Sequence, residues 1–250
     1  MQWIDKQRLT KERLVGTFLN LCSATAVEIV ADLGFDWLLL DFEHGSGSFS
    51  DLRSLLLASR AGSSAPIVRI RSVDADIVKF VMDSGAAGIM FPFVSSAEEA
   101  MRAVQFMKYP PRGTRGVAGI IRATEYGRNW KNYFESANAC GCVVVQIETA
   151  EAVANADSIA AVEGVDVLFV GPLDLSVSLN CPGDFSQPHF VDAIRSVVEA
   201  CERHGKAAGI LSRPEFVEQH KQLGFRFLAL GSDSGAVQSG MLNTLKALRS

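Results

Sequence analysis

The stretch that decides the fold is VVVQIETAEAVANADSIAAVEGVDVLFVGPLDLS, residues 143–176. It opens with an apolar run at 143–147, continues through a segment whose apolar residues recur three and four positions apart, and returns to an apolar run at 167–170. Neither run alternates apolar with polar residues, which is typical of parallel strands covered on both faces. The stretch therefore predicts two strands of a parallel sheet joined by a surface helix.

The same alternation of short apolar runs and amphipathic segments extends through the chain. Eight such units favour a (β/α)₈ barrel. The alternative, a doubly wound open sheet, needs a glycine-rich phosphate turn after its first strand, and GTFLNLCSA at 16–24 contains no GxGxxG. Since the 250 residues include no linker, we predict one α/β domain, a TIM barrel, over residues 1–250. The predicted strands are 15–19, 37–42, 67–70, 88–93, 143–147, 167–170, 207–211 and 227–230.

Composition and charge exclude several classes of protein. The chain has 48% hydrophobic residues, and its net charge of −4 leaves no basic patch for a nucleic acid. No apolar run reaches the roughly 18 residues of a membrane span, and MQWIDKQRLTKER at the amino terminus lacks the apolar stretch of a signal peptide. We therefore expect a cytoplasmic protein without nucleic-acid or membrane partners. Its five cysteines form no CxxC pair and are expected to be reduced structural thiols.

Polar side chains follow several of the predicted strands directly. In a (β/α)₈ barrel the chemistry lies at the carboxyl ends of the strands. Charged residues that emerge from buried strands need partners or a ligand, because an isolated buried charge is costly. The residues at these positions are Asp41, Glu43 and His44 after the second strand, Arg69 at the end of the third, Gln146 and Glu148 after the fifth, and Gly171, Pro172, Leu173 and Asp174 after the sixth.

Glu148 and Asp174 are the candidate metal ligands. They follow neighbouring strands, and two carboxylates suit a hard divalent cation whose remaining positions are left to water or substrate. The sequence thus predicts Mg²⁺, Mn²⁺ or Co²⁺ rather than zinc, because no His and Cys ligands cluster with them. The alternative is that each carboxylate only stabilises the start of the helix that follows it.

His44 and Arg69 are the candidate acid–base and anion-binding groups. His44 is the one histidine expected at the rim, and imidazole can exchange a proton near neutral pH. Asp83 could orient its ring if the fold brings the two together. Arg69 offers a fixed fork for a carboxylate or an enolate oxygen. The alternatives are a purely structural hydrogen bond for His44 and an internal ion pair of Arg69 with Asp41 or Glu43.

Two further features bear on the mechanism. No lysine falls at the carboxyl end of a predicted strand, which disfavours a Schiff-base aldolase and leaves a metal to polarise any carbonyl substrate. The long connection at 109–141 carries Arg112, Arg115, Arg122 and Arg128 among aromatic residues. We interpret it as a lid over an anionic ligand, with a solvated loop as the alternative.

Seven motifs in collinear order resemble the HpcH/HpaI aldolase family. Its nearest branch is the class II, metal-dependent pyruvate aldolases, such as 4-hydroxy-2-oxoheptanedioate aldolase. The resemblance implies a (β/α)₈ barrel whose last helix, here about 236–248, is exchanged in dimers that assemble into hexamers. The motifs are LLLDFEHG, PIVRI, MDSGAAGIMFPFV, YPPRGTRGV, VVVQIETAEAVAN, VEGVDVLFVGPLDLS and HGKAAGIL.

The resemblance also implies roles for individual residues. Glu148 and Asp174 match the metal ligands, and no nucleotide cofactor is implied. His44 matches the base, Asp83 its carboxylate partner and Arg69 the group that stabilises the enolate. The implied substrate contacts are Gln146 with the pyruvyl group, Gly171, Pro172 and Leu173 with the substrate carboxylate, Arg122 with a distal acid group, and Val117 and Leu211 as pocket walls.

The implied reaction is reversible aldol cleavage of a 4-hydroxy-2-oxoacid to pyruvate and an aldehyde through a metal-stabilised pyruvate enolate, in the catabolism of aromatic compounds. Alternatives are another enolate-forming lyase, such as an oxaloacetate decarboxylase or a malyl or citramalyl thioester lyase, and an idle barrel that binds 2-oxoacids. A thioester lyase would need a coenzyme A site, for which the sequence offers no phosphate-binding turn. A binding relic need not keep a base, so His44 disfavours the idle barrel.

Overall fold

The computed structural model describes residues 2–249 and contains a closed barrel of parallel strands. Each strand pairs with the next along the chain, and the last pairs with the first. This confirms the predicted (β/α)₈ barrel. The strands are β1 (Leu14–Leu19), β2 (Trp37–Asp41), β3 (Ala65–Arg69), β4 (Gly88–Phe91), β5 (Cys142–Ile147), β6 (Val167–Val170), β7 (Ala207–Ser212) and β8 (Phe227–Ser232).

Helices connect the strands on the outside of the barrel. Side-chain oxygens of Ser23, Ser96 and Thr149 accept backbone N–H groups and begin three of them, as expected of N-caps. Over residues 2–249 the α-helices are α1 (Lys6–Lys11), α2 (Ala24–Ala31), α3 (Leu52–Ala58), α4 (Ala75–Asp83), α5 (Ala97–Met107), α6 (Trp130–Cys140), α7 (Ala150–Ala154), α8 (Ala156–Ala160), α9 (Pro172–Ser178), α10 (Pro188–Arg203), α11 (Val217–Leu223) and α12 (Asp233–Arg249).

The strands are apolar on both faces because both faces are buried. In β2, Leu38 and Leu40 pack into the layer between sheet and helices. Trp37 and Leu39 pack inside the barrel instead. Successive side chains of a strand point to opposite faces, so a strand buried on both sides shows no alternation of apolar and polar residues.

Aromatic side chains fill the amino-terminal part of the barrel interior. Trp37 and Phe227, the first residues of their strands, stack with ring centroids 4.1 Å apart. Phe169 meets the Trp37 ring edge-on at 6.2 Å. Gly16 of β1 makes room for this packing, because a Cβ atom there would collide with the indole ring. These rings thus fill the barrel interior at the amino-terminal ends of the strands.

The long connection between α5 and α6 lies at the opposite, amino-terminal face. Arg115 is buried and forms an ion pair with Asp83 at the end of α4, Nη2 to Oδ1 2.5 Å. Arg122 donates to the carbonyl oxygens of Ser84 at 2.5 Å and Leu56 at 2.8 Å. Both acceptors lie at the carboxyl ends of helices, where the helix dipole attracts a cation. Within a single chain the connection therefore does not cover the strand ends.

The last helix, α12, extends from β8 with an exposed apolar side. It carries Val237, Met241, Leu242, Leu245 and Leu248, whose exposed fractions run from 42% to 79%. Such a row of exposed apolar side chains marks an interaction surface. Among residues 2–249, no helix is both long enough and apolar enough to cross a membrane.

Candidate active site

A cavity of about 410 Å³ opens at the carboxyl ends of the strands. This is the face where (β/α)₈ barrels carry their chemistry. The cavity contains most of the residues selected from the sequence and excludes Glu43, Asp83, Val117 and Arg122. Those that line it are Asp41, His44, Arg69, Gln146, Glu148, Gly171, Pro172, Leu173, Asp174 and Leu211.

Arg69 is held on the cavity wall by acidic neighbours. Its Nε donates to Oδ1 of Asp41 at 3.0 Å and its Nη2 to Oδ2 at 2.7 Å. Nη1 lies 3.0 Å from a carboxylate oxygen of Glu43. Burial acts to lower the pKa of Arg69, but the hydrogen bonds to Asp41 and the two negative charges raise it. The internal ion pair that the sequence left open is present, and it fixes the guanidinium at the cavity.

Glu148 is a buried carboxylate with both oxygens hydrogen-bonded. One accepts the side-chain amide of Gln146 at 2.8 Å, and the other accepts the backbone N–H of Phe93 at 3.0 Å. Burial, together with the charges of Glu43 and Asp174, raises the pKa of Glu148 to about 7, although the hydrogen bond from Phe93 acts to lower it. A cation beside Glu148 would offset both effects.

Asp174 reaches the same cavity from the next connection. It lies in the first turn of α9, which starts with Pro172 after Gly171. A Cβ atom on Gly171 would collide with the Glu148 carboxylate, so a glycine is needed for the two segments to approach. Glu148 does not cap α7, because Thr149 does so. Asp174 lies at the start of a helix, as the alternative interpretation requires, and it also lines the cavity.

The donor set fits a hard divalent cation. Glu148 and Asp174 provide two carboxylates, and the side-chain oxygen of Gln146 is buried beside them without a hydrogen-bond donor. Within residues 2–249, His, Cys, Asp and Glu side chains form no group of three or more that could hold an ion. Two carboxylates with several water or substrate oxygens are a common arrangement for Mg²⁺ and unlike the closed sites of structural zinc.

His44 and Asp83 do not meet within the chain. The His44 side chain is 67% exposed at the rim, and its nearest carboxylate is Glu43, with Nε2 3.8 Å from Oε2. Asp83 is neutralised by Arg115 at the other face of the barrel. The predicted His44–Asp83 dyad is therefore absent from the single chain.

Val117 and Arg122 also lie away from the cavity. Val117 is 54% exposed within the connection from α5 to α6. Arg122 is held by carbonyl oxygens at the carboxyl ends of α3 and α4. Neither contacts the pocket of its own chain, in contrast to the roles that the resemblance implies.

The sequence did not point to several residues that complete the cavity. They lie in or directly after β1, β6, β7 and β8, or in the connection before α10, and most are uncharged. Arg213 was not selected, although it is the second residue after the predicted strand, and it directly follows β7, which extends to Ser212. The additional residues are Phe18, Asn20, Phe169, Phe185, Ser212, Arg213, Gly231 and Ser232.

Comparisons with known proteins agree with the fold and the motifs. The profile of the HpcH/HpaI aldolase/citrate lyase family matches residues 14–239. The 2-dehydro-3,6-dideoxy-6-sulfogluconate aldolase of Pseudomonas putida is 41% identical over 236 residues, 94% of this chain and 92% of that protein. The hydroxypyruvate/pyruvate aldolase of Paraburkholderia phytofirmans is 43% identical over 236 residues, 91% of this chain and 90% of that protein.

A solved structure is similar over nearly the whole chain. It is the crystal structure of an HpcH/HpaI aldolase/citrate lyase family protein from Burkholderia cenocepacia, with a TM-score of 0.93 and 37% identity over 98% of each chain. The match therefore extends from the motifs to the arrangement of all eight strands. This chain belongs to the HpcH/HpaI aldolase/citrate lyase family.

Proposed function

We propose that the protein is a metal-dependent aldolase that reversibly cleaves a 4-hydroxy-2-oxoacid to pyruvate and an aldehyde. The observation that carries this proposal is the meeting of two carboxylates, Glu148 and Asp174, with the cation Arg69 in one cavity at the strand ends. Pyruvate carries a keto oxygen and a carboxylate side by side, so it suits a site with these charges. Relatives of 41% and 43% identity that are themselves named as aldolases add support.

Each charged residue would have a defined task. A divalent cation held by Glu148 and Asp174 would polarise the keto oxygen and neutralise the charge that develops there. Mg²⁺ and Mn²⁺ are the ions we propose. Arg69, fixed by Asp41, would place a permanent positive charge beside the developing enolate, with little reorganisation during the reaction. The backbone N–H groups of Leu173 and Asp174, in the first turn of α9 after Pro172, would hold the pyruvate carboxylate.

The proton transfers need one base. In cleavage, the base takes the proton from the 4-hydroxyl, the bond between C3 and C4 breaks, and its electron pair enters the enolate as the aldehyde leaves. The enolate then takes a proton at C3 and becomes pyruvate. We propose His44 as this base, because it is the only histidine of residues 2–249 that lines the cavity.

We also propose that the protein acts as a homo-oligomer in which α12 packs on a second copy of the chain. The exposed apolar side of α12, from Val237 to Leu248, supports this. A second copy offers the same apolar surface in return, as expected for a two-fold contact. The expectation of a hexamer built from such dimers stays a prediction.

Exchange of the pyruvate methyl protons tests the function without knowledge of the aldehyde. Protein stripped of metal by a chelator is incubated with pyruvate in D₂O, then Mg²⁺ or Mn²⁺ is restored and the methyl signal is followed by NMR. We expect exchange only with metal, and its loss in His44→Ala. Folded protein that exchanges no proton with any divalent cation would contradict the proposal.

A further inference from the structure

Arg213 is a cation at the rim of the cavity that the proposed chemistry does not use. It directly follows β7 and lines the same cavity as Glu148 and Asp174. Arg69 is buried at the cavity wall, whereas Arg213 is exposed. Its place is therefore the outer part of the cavity, above the residues proposed to hold pyruvate.

The guanidinium of Arg213 is free of ionic partners within residues 2–249. Arg69, the other arginine of the cavity, has its charge engaged by Asp41 and Glu43. Arg213 instead lies over the ring of Phe185, with Cζ 4.5 Å from the ring centroid. Stacking on an aromatic ring holds the guanidinium plane and leaves its edge N–H groups available to an anion.

The segment that carries Arg213 is anchored by buried neighbours. The hydroxyl of Ser212 lies 2.9 Å from Nδ1 of His220 in α11, and both side chains are buried. Phe185, on the other side, is itself buried against Phe190 and Phe216. The Arg213 side chain thus extends from an anchored backbone segment onto a buried aromatic ring. Such support reduces the entropy that an exposed arginine loses when it binds a ligand.

We propose that Arg213 determines specificity by binding an anionic group at the far end of the aldehyde. The proposal rests on the proposed aldolase function. An aldehyde that adds to the enolate must lie between pyruvate and the solvent, which is where Arg213 is placed. A carboxylate or sulfonate on that aldehyde would meet the one cation of the cavity that no carboxylate of residues 2–249 neutralises. Arg213 would thus provide, from the same chain as the cavity, the kind of recognition that the resemblance implies for Arg122.

The test compares two aldehydes that differ in one charge, 4-oxobutanoate and its methyl ester. Addition of pyruvate to each is measured with the parent, with Arg213→Met and with Arg213→Lys. We expect Arg213→Met to raise the KM for 4-oxobutanoate and to lower the acid-to-ester ratio of kcat/KM about 10- to 100-fold, as for the loss of a charged hydrogen bond. Arg213→Lys should restore part of the ratio. The matched control is Arg195→Met in α10, where the arginine is exposed and paired with Asp192.

Pyruvate proton exchange, which involves no aldehyde, separates this inference from the proposed function. If the parent and Arg213→Met exchange protons equally and show the same acid-to-ester ratio, the specificity proposal is overturned and the aldolase proposal stands. If Arg213→Met loses exchange as well, the residue acts on pyruvate and the specificity proposal is again overturned. If the parent itself shows no exchange, both proposals fail.

Discussion

Arg69 and Asp41 form a buried two-point ion pair, with Nε to Oδ1 at 3.0 Å and Nη2 to Oδ2 at 2.7 Å. Asp41→Ala would leave the arginine with Glu43 as its remaining partner. We expect a loss of about 3 kcal/mol in the free energy of unfolding, the lower end for a broken buried pair. The free energy of unfolding is measured by urea denaturation. The control is Asp157→Ala, which removes an exposed pair with Arg203 and should cost less than about 1 kcal/mol. Equal losses of unfolding free energy in the two variants would show that the buried ion pair stabilises the fold no more than the exposed pair does.

Gly171→Ala should impair the metal site while leaving the barrel folded. The added methyl group would collide with the Glu148 carboxylate and displace it from Asp174. We expect Mn²⁺ affinity, measured by electron paramagnetic resonance, to fall by roughly 10- to 100-fold, as when the support of a metal ligand is lost. Gly119→Ala is the matched control, because a Cβ atom there meets no neighbour within 4 Å. Unchanged Mn²⁺ binding in Gly171→Ala would argue against Glu148 as a ligand.

His220 should make the fold less stable in mild acid. Burial against Phe216 and Phe225 lowers its pKa to about 4, below the value of about 6.5 in the unfolded chain. The unfolded state therefore binds the proton first as the pH falls, and the stability present above pH ~6.5 is progressively lost toward pH ~4. Between pH 7.5 and 5 this linkage amounts to about 2 kcal/mol.

Urea denaturation at the two pH values tests this prediction. His220→Gln should be less stable at neutral pH and should lose this part of the pH dependence. His189→Gln, which alters an exposed histidine at the start of α10, should keep it. A pH dependence that His220→Gln leaves unaltered would assign the acid sensitivity to other groups.

Replacing the exposed apolar side chains of α12 should reduce the size of the assembly. Met241→Gln combined with Leu245→Gln removes two of these side chains and leaves the helix pattern intact. We expect a lower molar mass by light scattering after size-exclusion chromatography, with an unchanged circular dichroism spectrum. Phe80→Gln, at an exposed position of α4, is the control. A parent protein that is already monomeric would contradict the proposed packing of α12.

The sequence predicts the barrel and about half of the residues that line the cavity, because the patterns that identify them are local in the chain. A buried strand is an apolar run, and a charged residue that ends it, such as Arg69 or Glu148, lies at the carboxyl end by necessity. Arg122 could not be placed in this way. Its partners Ser84 and Leu56 lie 38 and 66 residues away along the chain, and no local pattern encodes that contact. Arg213 could have been found by the same rule, since it lies two residues after the predicted seventh strand, as His44 does after the second.

The aromatic packing of Trp37, Phe169 and Phe227 has a kinetic consequence. It closes one end of the barrel, so everything that reaches the carboxylates arrives and departs through the same mouth. In the cleavage direction the aldehyde, nearer to Arg213, must leave first, and pyruvate leaves last. Product-inhibition patterns can reveal this order: pyruvate should compete with the 4-hydroxy-2-oxoacid for free enzyme, whereas the aldehyde should inhibit noncompetitively. The packing at the closed amino-terminal end thus determines the order in which the products leave through the open carboxyl end.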